Sequence, residues 1–186
     1  MIKDLGTQRL ETERLILRRF ALEDAEAVYE GWTGDLRCAE QCTWKLHPNA
    51  AYTEKILSFW IDEYEDAAYN WVVELKETHQ LIGNVNTVSI SRANQTCEIG
   101  YCFGSRFWGC GYATEAVRCV LSFLLNECGF HLVEARHSTK NPASGRVMQK
   151  AGMEQEAVLS ERQYDEVEDQ YYDTVIYSAK RKYSLP

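Results

Sequence analysis

The sequence predicts an α+β fold with a mixed, mostly antiparallel sheet of about seven strands flanked by about four helices. Three strand-like stretches, residues 70–76, 81–91 and 96–103, follow one another across short polar turns, which predicts an antiparallel meander. Apolar residues from 113 to 128 repeat at steps of three and four, which predicts an amphipathic helix. The remaining elements follow in irregular order, so neither a doubly wound sheet nor a barrel is expected.

The N-terminal third contributes one strand and two helices to this prediction. "RLILRRF" (14–20) is aliphatic and alternating like a strand, and 22–32 carries apolar residues at helical spacing with acids in its first turn. Residues 33–50 are expected to be irregular. A second helix over 51–66 follows, and its apolar face is expected to carry Ile56, Phe59, Trp60 and Tyr64.

The C-terminal part contributes a strand, a helix and a final strand pair. "LVEARH" (132–137) predicts the strand. Residues 141–152 predict a short helix, because Asn-Pro is a favoured helix start and Gly152 a favoured helix end. Two last strands, near 154–162 and 171–179, are expected to pair antiparallel.

Length and composition indicate a soluble, cytoplasmic protein with one domain, residues 1–186. The hydrophobic content is 45% and the charged content 26%, no apolar run approaches the roughly 18 residues of a membrane span, and the N-terminus is too polar for a secretory signal. The net charge of −8 is the opposite of the basic face that nucleic-acid binders show. We therefore expect no nucleic acid and no membrane as partners, whereas an acidic surface would attract an amine.

The cysteines indicate neither a disulfide framework nor a metal site. There are seven of them, no C-x-x-C motif occurs, and the four histidines do not stand at zinc-like spacing from them. We expect small buried residues in a reducing compartment and no metal. Cys38 and Cys42, one helical turn apart with His47 nearby, leave a metal site as the weaker alternative.

The segment "RFWGCGYATEA" (106–116) predicts a binding site for a diphosphate. It lacks the lysine and hydroxyl of a nucleotide-triphosphate loop, and it does not open a βαβ unit as a dinucleotide site requires. Gly109 and Gly111 nevertheless let the backbone approach a ligand closely, just before a helix that begins near Ala113. The free amides of that helix start favour an anion, and Arg106 can add a charged contact.

The spacing R-x-x-G-x-G, formed by Arg106, Gly109 and Gly111, resembles the acyl-CoA pyrophosphate loop of the GNAT superfamily of N-acetyltransferases. The wider match, over about residues 11–183, is most similar to the RimJ/RimL-like branch, whose members acetylate N-terminal amino groups of ribosomal proteins and other amines. "EIGYCFGSRFWGCGYATEAV" carries the most specific part of it, and "NPASGRVMQKAG" resembles the branch's N-x-x-S helix.

This resemblance implies acetyl-CoA as the donor cosubstrate. It implies that the pyrophosphate meets backbone amides and that the pantetheine amides pair with a strand like an added strand. The implied contacts are Gly109, Cys110, Gly111, Tyr112, Ala113 and Thr114 for the pyrophosphate, Tyr101, Cys102 and Phe103 for the strand backbone, Asn141 for the pantetheine arm and Ser144 for the sulfur.

Acetyl transfer to an amine also needs a proton donor, a proton acceptor and a donor to the carbonyl oxygen. Many GNAT enzymes place a tyrosine seven residues after the asparagine as the acid, but this chain has Met148 there, which leaves Ser144 or a water that it holds. Glu98 is the first candidate for the base, with His137 as a competitor. A backbone amide of strand 96–103 is expected to serve the oxyanion.

Acceptor specificity is expected from three segments, 33–50, 51–66 and the hairpin near 163–170. They carry aromatic and acidic residues, which suit an ammonium or a basic peptide: Trp44, Trp60, Tyr64, Glu161, Tyr164, Asp165, Glu166, Glu168 and Asp169. A protein N-terminus is the leading acceptor. The alternatives are a small amine (a polyamine, amino acid or aminoglycoside) and a non-catalytic acyl-CoA-binding module. Branch members often pair, so a homodimer stays open.

Overall fold

The computed structural model describes residues 2–66, 68–166 and 168–181, and across these an eight-stranded sheet runs in the order β1-β2-β3-β4-β5-β6-β8-β7. The strands are β1 Leu10–Glu11, β2 Leu15–Arg18, β3 Asn70–Leu75, β4 Leu81–Ser91, β5 Thr96–Phe103, β6 Leu132–Ser138, β7 Glu154–Asp165 and β8 Gln170–Lys180. The helices are α1 Ala25–Val28, α2 Leu36–Ala39, α3 Ala50–Asp62, α4 Tyr112–Ser122 and α5 Pro142–Ala151. The α+β class and the mostly antiparallel sheet are confirmed.

β5 and β6 form the one parallel pair among the described strands, and they diverge. Their register runs only from Thr96↔Leu132 to Glu98↔Glu134. β6 then continues along β8 to Ser138, while β5 continues along β4 to Phe103. β4 carries a bulge opposite Glu98, and bulges bend a strand and change its direction. The β6-facing backbone edge of β5 is therefore open beyond Glu98.

Both faces of the sheet are covered, and alternate residues of β5 reach the two cores. Ile99 and Phe103 belong to the larger core under α4 and α5, with Val117 and Leu121 of α4. Cys102 belongs to the smaller core under α1–α3. Because successive side chains point to opposite faces, Glu98, Gly100 and Cys102 share the α1–α3 side. β5 thus connects the two halves of the molecule.

Three expectations about the N-terminal third are wrong. Residues 33–50 are not wholly irregular, because Asp35 caps the four-residue helix α2, which is too short to show a period. Phe59 does not lie on the buried face of α3 but is 67% exposed. Tyr64 lies past the end of α3 in a tight turn, where its hydroxyl donates to the carbonyl of Asn70 at 2.7 Å. β1, at two residues, was too short for a pattern to predict.

Candidate active site

A cavity of about 1720 Å³ lies where β5 and β6 diverge, and it extends from the start of α4 to the side of α3. Ordinary ligand pockets measure about 300–1000 Å³. The volume is therefore sufficient for a long donor molecule together with a second ligand. The open edge of β5 lines its wall through residues 98–103.

The glycine-rich loop at one end of the cavity has the backbone geometry of an anion nest. Gly109 and Gly111 have φ values of +80° and +83°, a region that side chains rarely adopt. α4 begins directly afterwards at Tyr112, so its free amides and positive dipole end face the loop. A Cβ at position 109 would meet nothing within 4 Å, so backbone conformation rather than space calls for glycine there.

Arg14 fastens this loop to α4, and sequence analysis missed it. Its Nε donates to a carboxylate oxygen of Glu115 at 2.7 Å and its Nη1 to the carbonyl of Cys110 at 3.1 Å. The guanidinium also lies 4.4 Å from the centre of the Tyr112 ring. The hydrogen bond with Glu115 raises the pKa of Arg14. No local pattern signals a contact between residues about a hundred positions apart.

Basic side chains from α4 and α5 line the same end of the cavity. Arg118 donates to the carbonyl of Lys150 at 2.5 Å, and Arg146 follows Ser144 by two residues. Arg106, in contrast, is exposed and is not a lining residue; neither are Cys110 and Tyr112, whose contribution would come from the backbone. The amides and these cations together fit a diphosphate.

The start of α5 holds two of the residues expected near the thioester. Asn141 caps the helix by accepting from the amide of Ser144 at 3.2 Å, and its Nδ2 donates to the carbonyl of Gln41 at 3.3 Å. The hydroxyls of Ser144 and Tyr101 are 2.8 Å apart, and the Tyr101 hydroxyl also lies 2.8 Å from the carbonyl oxygen of Ser144. Burial raises the pKa of Tyr101, so its phenol stays protonated.

The two candidate bases lie on opposite faces of the sheet. Glu98 forms an ion pair with Arg136 of β6, and its side chain is only 11% exposed. His137 lies on the α5 side, where a Cβ on Gly145 would stand 2.5 Å from its Nε2. Its Nδ1 donates to the carbonyl of Ser138 at 2.8 Å, since that oxygen can only accept.

The expected acceptor residues are only partly brought together. Trp44 and Trp60 line the cavity, but Tyr64 does not. Of the hairpin near 163–170, the described part contributes Gln163 alone to the lining. Asp165 and Glu168 instead hold the ammonium of Lys140, at 2.5 and 2.7 Å. The remaining expected residues, Glu161, Tyr164, Glu166 and Asp169, stand outside the lining.

Residues 2–66, 68–166 and 168–181 offer neither a cluster of metal ligands nor a membrane-spanning helix. No group of three or more His, Cys, Asp or Glu side chains there is arranged to hold a metal ion. No helix in that part of the chain is long and apolar enough to cross a membrane.

Known proteins share both the sequence pattern and the architecture. The model of the acetyltransferase (GNAT) domain matches residues 14–154. YoaA of Bacillus subtilis, named an uncharacterized N-acetyltransferase, is 31% identical over 169 residues, which cover 91% of this chain and 94% of YoaA.

Two solved structures show the same fold at lower identity. The ribosomal-protein-S5-alanine acetyltransferase of Vibrio fischeri superposes with a TM-score of 0.82 at 20% identity, covering 96% of this chain and all of that one. The microcin C7 self-immunity acetyltransferase MccE, solved with acetyl-CoA and AMP, gives 0.79 at 23%, covering 91% of this chain and 93% of its own. Acetyl-CoA is accordingly the donor, and this chain belongs to the GNAT family as an acetyl-CoA-dependent N-acetyltransferase.

Proposed function

We propose that this enzyme moves the acetyl group of acetyl-CoA to a primary amine by direct attack within the cavity between β5 and β6. The observation that carries the proposal is the open edge of β5 leading from the glycine nest to Glu98. A pantetheine arm laid along that edge would reach from the diphosphate site to the carboxylate. All strands of this site lie in one sheet, which supports treating 1–186 as one domain.

The donor is held, in this proposal, mainly by backbone. The amides of residues 109–114 bind the pyrophosphate, and Arg106, which lies outside the lining, would have to turn toward the site to add its charged contact. The β5 backbone at residues 101–103 pairs with the pantetheine, and Asn141 contacts the pantetheine arm. Bound acetyl-CoA supplies an activated thioester carbonyl. A free amide of β5 donates a hydrogen bond to the carbonyl oxygen. One such donor typically accelerates acyl transfer by about 10²–10³.

Two side chains move the protons. Glu98 accepts the proton that the amine loses, and the Arg136 guanidinium holds the carboxylate in place. Ser144 donates a proton to the sulfur as the carbon–sulfur bond breaks, and Tyr101 is within hydrogen-bonding distance of its hydroxyl. Orientation of amine and thioester contributes more than either group.

The Glu98→Gln variant tests the base. We expect kcat to fall by about 10²–10⁴ and the acidic limb of the pH–rate profile, in which the rate rises as the base loses its proton, to disappear. Glu134→Gln is the matched control, because Glu134 stands opposite Glu98 in the strand register and does not line the cavity. An unchanged profile in Glu98→Gln would assign the proton to solvent or to His137.

A protein N-terminal amino group is the proposed acceptor, as in the RimJ/RimL-like branch. The Vibrio fischeri neighbour is named for an alanine of a ribosomal protein, and the fold shared with it supports a protein as the acceptor. A small amine is the second candidate, favoured by the pairing of Asp165 and Glu168 with Lys140, which removes an acidic wall for basic peptides. Thiol release with panels of peptides and amines decides between them.

A further inference from the structure

The side of the cavity between α2 and α3 is lined by aromatic and apolar side chains. Tyr52, Ile56 and Trp60 follow one another at four-residue steps along α3 and therefore lie on one face of that helix. Trp44 and His47 complete the wall from the preceding segment. We call these five residues the aromatic arm.

Three rings of the aromatic arm contact one another, with His47 in the middle. The His47 ring lies 4.9 Å from the Tyr52 ring in an edge-on arrangement and 5.6 Å from the Trp44 ring. Its Nδ1 is hydrogen-bonded to the buried hydroxyl of Thr53 at 2.8 Å. Burial lowers the pKa of His47, so the ring in the wall is neutral at neutral pH. A wall built this way is preorganised for a flat or apolar group.

The aromatic arm opens beside the reacting end of the site. Trp44 and Trp60 pack against the smaller core, which contains Cys102 of β5. Glu98 and Gly100 share that face of β5 and also line the cavity. An amine positioned at Glu98 would therefore carry its substituent into the arm.

The charges around the arm do not suit a polycation. Among the described lining residues three are carboxylates, and Glu98 and Glu115 are paired with Arg136 and Arg14. The third, Glu13, adjoins Arg14 at the nest end. A polyamine needs several carboxylates along its length. An amine that bears an aromatic ring needs only one proton acceptor and a wall the size of the ring.

We propose that the acceptor is a primary amine with an aromatic substituent. The ring of this substituent stacks in the aromatic arm, while the amine nitrogen meets the thioester beside Glu98. This inference rests on the proposed function and narrows its acceptor. The ring can belong to a small amine or to the first residue of a peptide, and both present the same chemistry to the arm.

The test compares acceptors and variants in one assay. Thiol release from acetyl-CoA is followed with tryptamine, butylamine, spermidine, Trp-Ala-Ala and Ala-Ala-Ala, using the full chain and its Tyr52→Ala and Trp44→Ala variants. Phe59→Ala is the matched control, because Phe59 lies on the same helix and is 67% exposed to solvent. Tryptamine is also titrated calorimetrically into the CoA-saturated protein, so that binding is measured without turnover.

We expect tryptamine or Trp-Ala-Ala to have the highest kcat/KM, and which of the two leads identifies the source of the ring. Tyr52→Ala and Trp44→Ala should each raise the KM for that acceptor by about threefold to tenfold, with KM for acetyl-CoA unchanged. Equal rates with butylamine or spermidine, or equal effects of Tyr52→Ala and Phe59→Ala, would overturn the inference. If no amine is acetylated but tryptamine still binds the wild type and not Tyr52→Ala, the aromatic arm is confirmed as a binding site for the ring and the proposed function fails.

Discussion

Alanine at Gly111 should weaken acetyl-CoA binding far more than it weakens the fold. Gly111 precedes α4 with a φ of +83°, and an added Cβ would stand 3.5 Å from Nη2 of Arg14, which is ordinary contact. Space is therefore available, and the left-handed backbone alone resists the change. Gly152 at the end of α5 has a φ of +101° and open space around its Cβ, so Gly152→Ala imposes the same kind of strain away from the nest.

The two effects differ in size. The left-handed conformation costs a non-glycine residue about 1–2 kcal/mol, which lowers the Tm of a chain of this length by roughly 2–8 °C. If the backbone at 111 relaxes instead, its amide turns away from the phosphate. A hydrogen bond to a charged group is worth about 1.5–3 kcal/mol, so the Kd for CoA should rise by roughly 10- to 150-fold.

Calorimetric titration with CoA and thermal unfolding of both variants measure the two effects separately. Gly152→Ala should lose a few degrees of Tm and keep its CoA affinity. Gly111→Ala should lose affinity because relaxation of the left-handed backbone turns its amide away from the phosphate, and Gly109→Ala should behave likewise, because its φ is +80°. Equal CoA affinity in Gly111→Ala and Gly152→Ala would refute the assignment of the nest to the diphosphate.

Three further predictions concern other parts of the site. Tyr101→Phe should lower kcat about tenfold with little change in KM for acetyl-CoA, because Ser144 loses its hydroxyl partner at 2.8 Å; steady-state kinetics measure this. Gly145→Ala should destabilise the protein by about 1–3 kcal/mol in urea unfolding, because the new Cβ would stand 2.5 Å from Nε2 of His137. Burial lowers the pKa of His47, so below pH 6.5 the unfolded chain binds a proton more readily than the folded chain and stability should fall; His47→Gln should remove the part of this slope that lies just below pH 6.5, as unfolding at several pH values measures.

The sheet was largely predictable because its strands carry local signals. β3, β4 and β5 stand between short polar turns, and their observed bounds differ from the predicted ones by at most one residue. The Asn-Pro start of α5 was predicted for the same reason, since the capping hydrogen bond, from the amide of Ser144 to the side-chain oxygen of Asn141, spans only three residues. Chemistry confined to one turn of chain can be inferred without the fold.

The divergence of β5 and β6 was not predictable, although it creates the cavity. It depends on a bulge in β4 opposite Glu98 and on β8 pairing with β6 as far as Ser138. The pairing of Lys140 with Asp165 was hidden in the same way, because the two residues stand 25 positions apart. Sequence alone therefore predicted an acidic wall on the acceptor side. In the structure, Lys140 neutralises Asp165 and Glu168 of that wall.

Charge shows most clearly how folding changes what composition suggests. The chain has a net charge of −8, which by itself favours a cationic partner, but the described residues that line the cavity include six lysines and arginines against three carboxylates. Arg14, Arg118, Arg146 and Lys150 lie just before β2 and within α4 and α5, so only the fold groups them. In salt, screening limits the range over which the acidic residues elsewhere on the surface act to about 10 Å. The local cations and the nest amides therefore decide which ligand binds, and the acidic composition does not oppose an anionic donor.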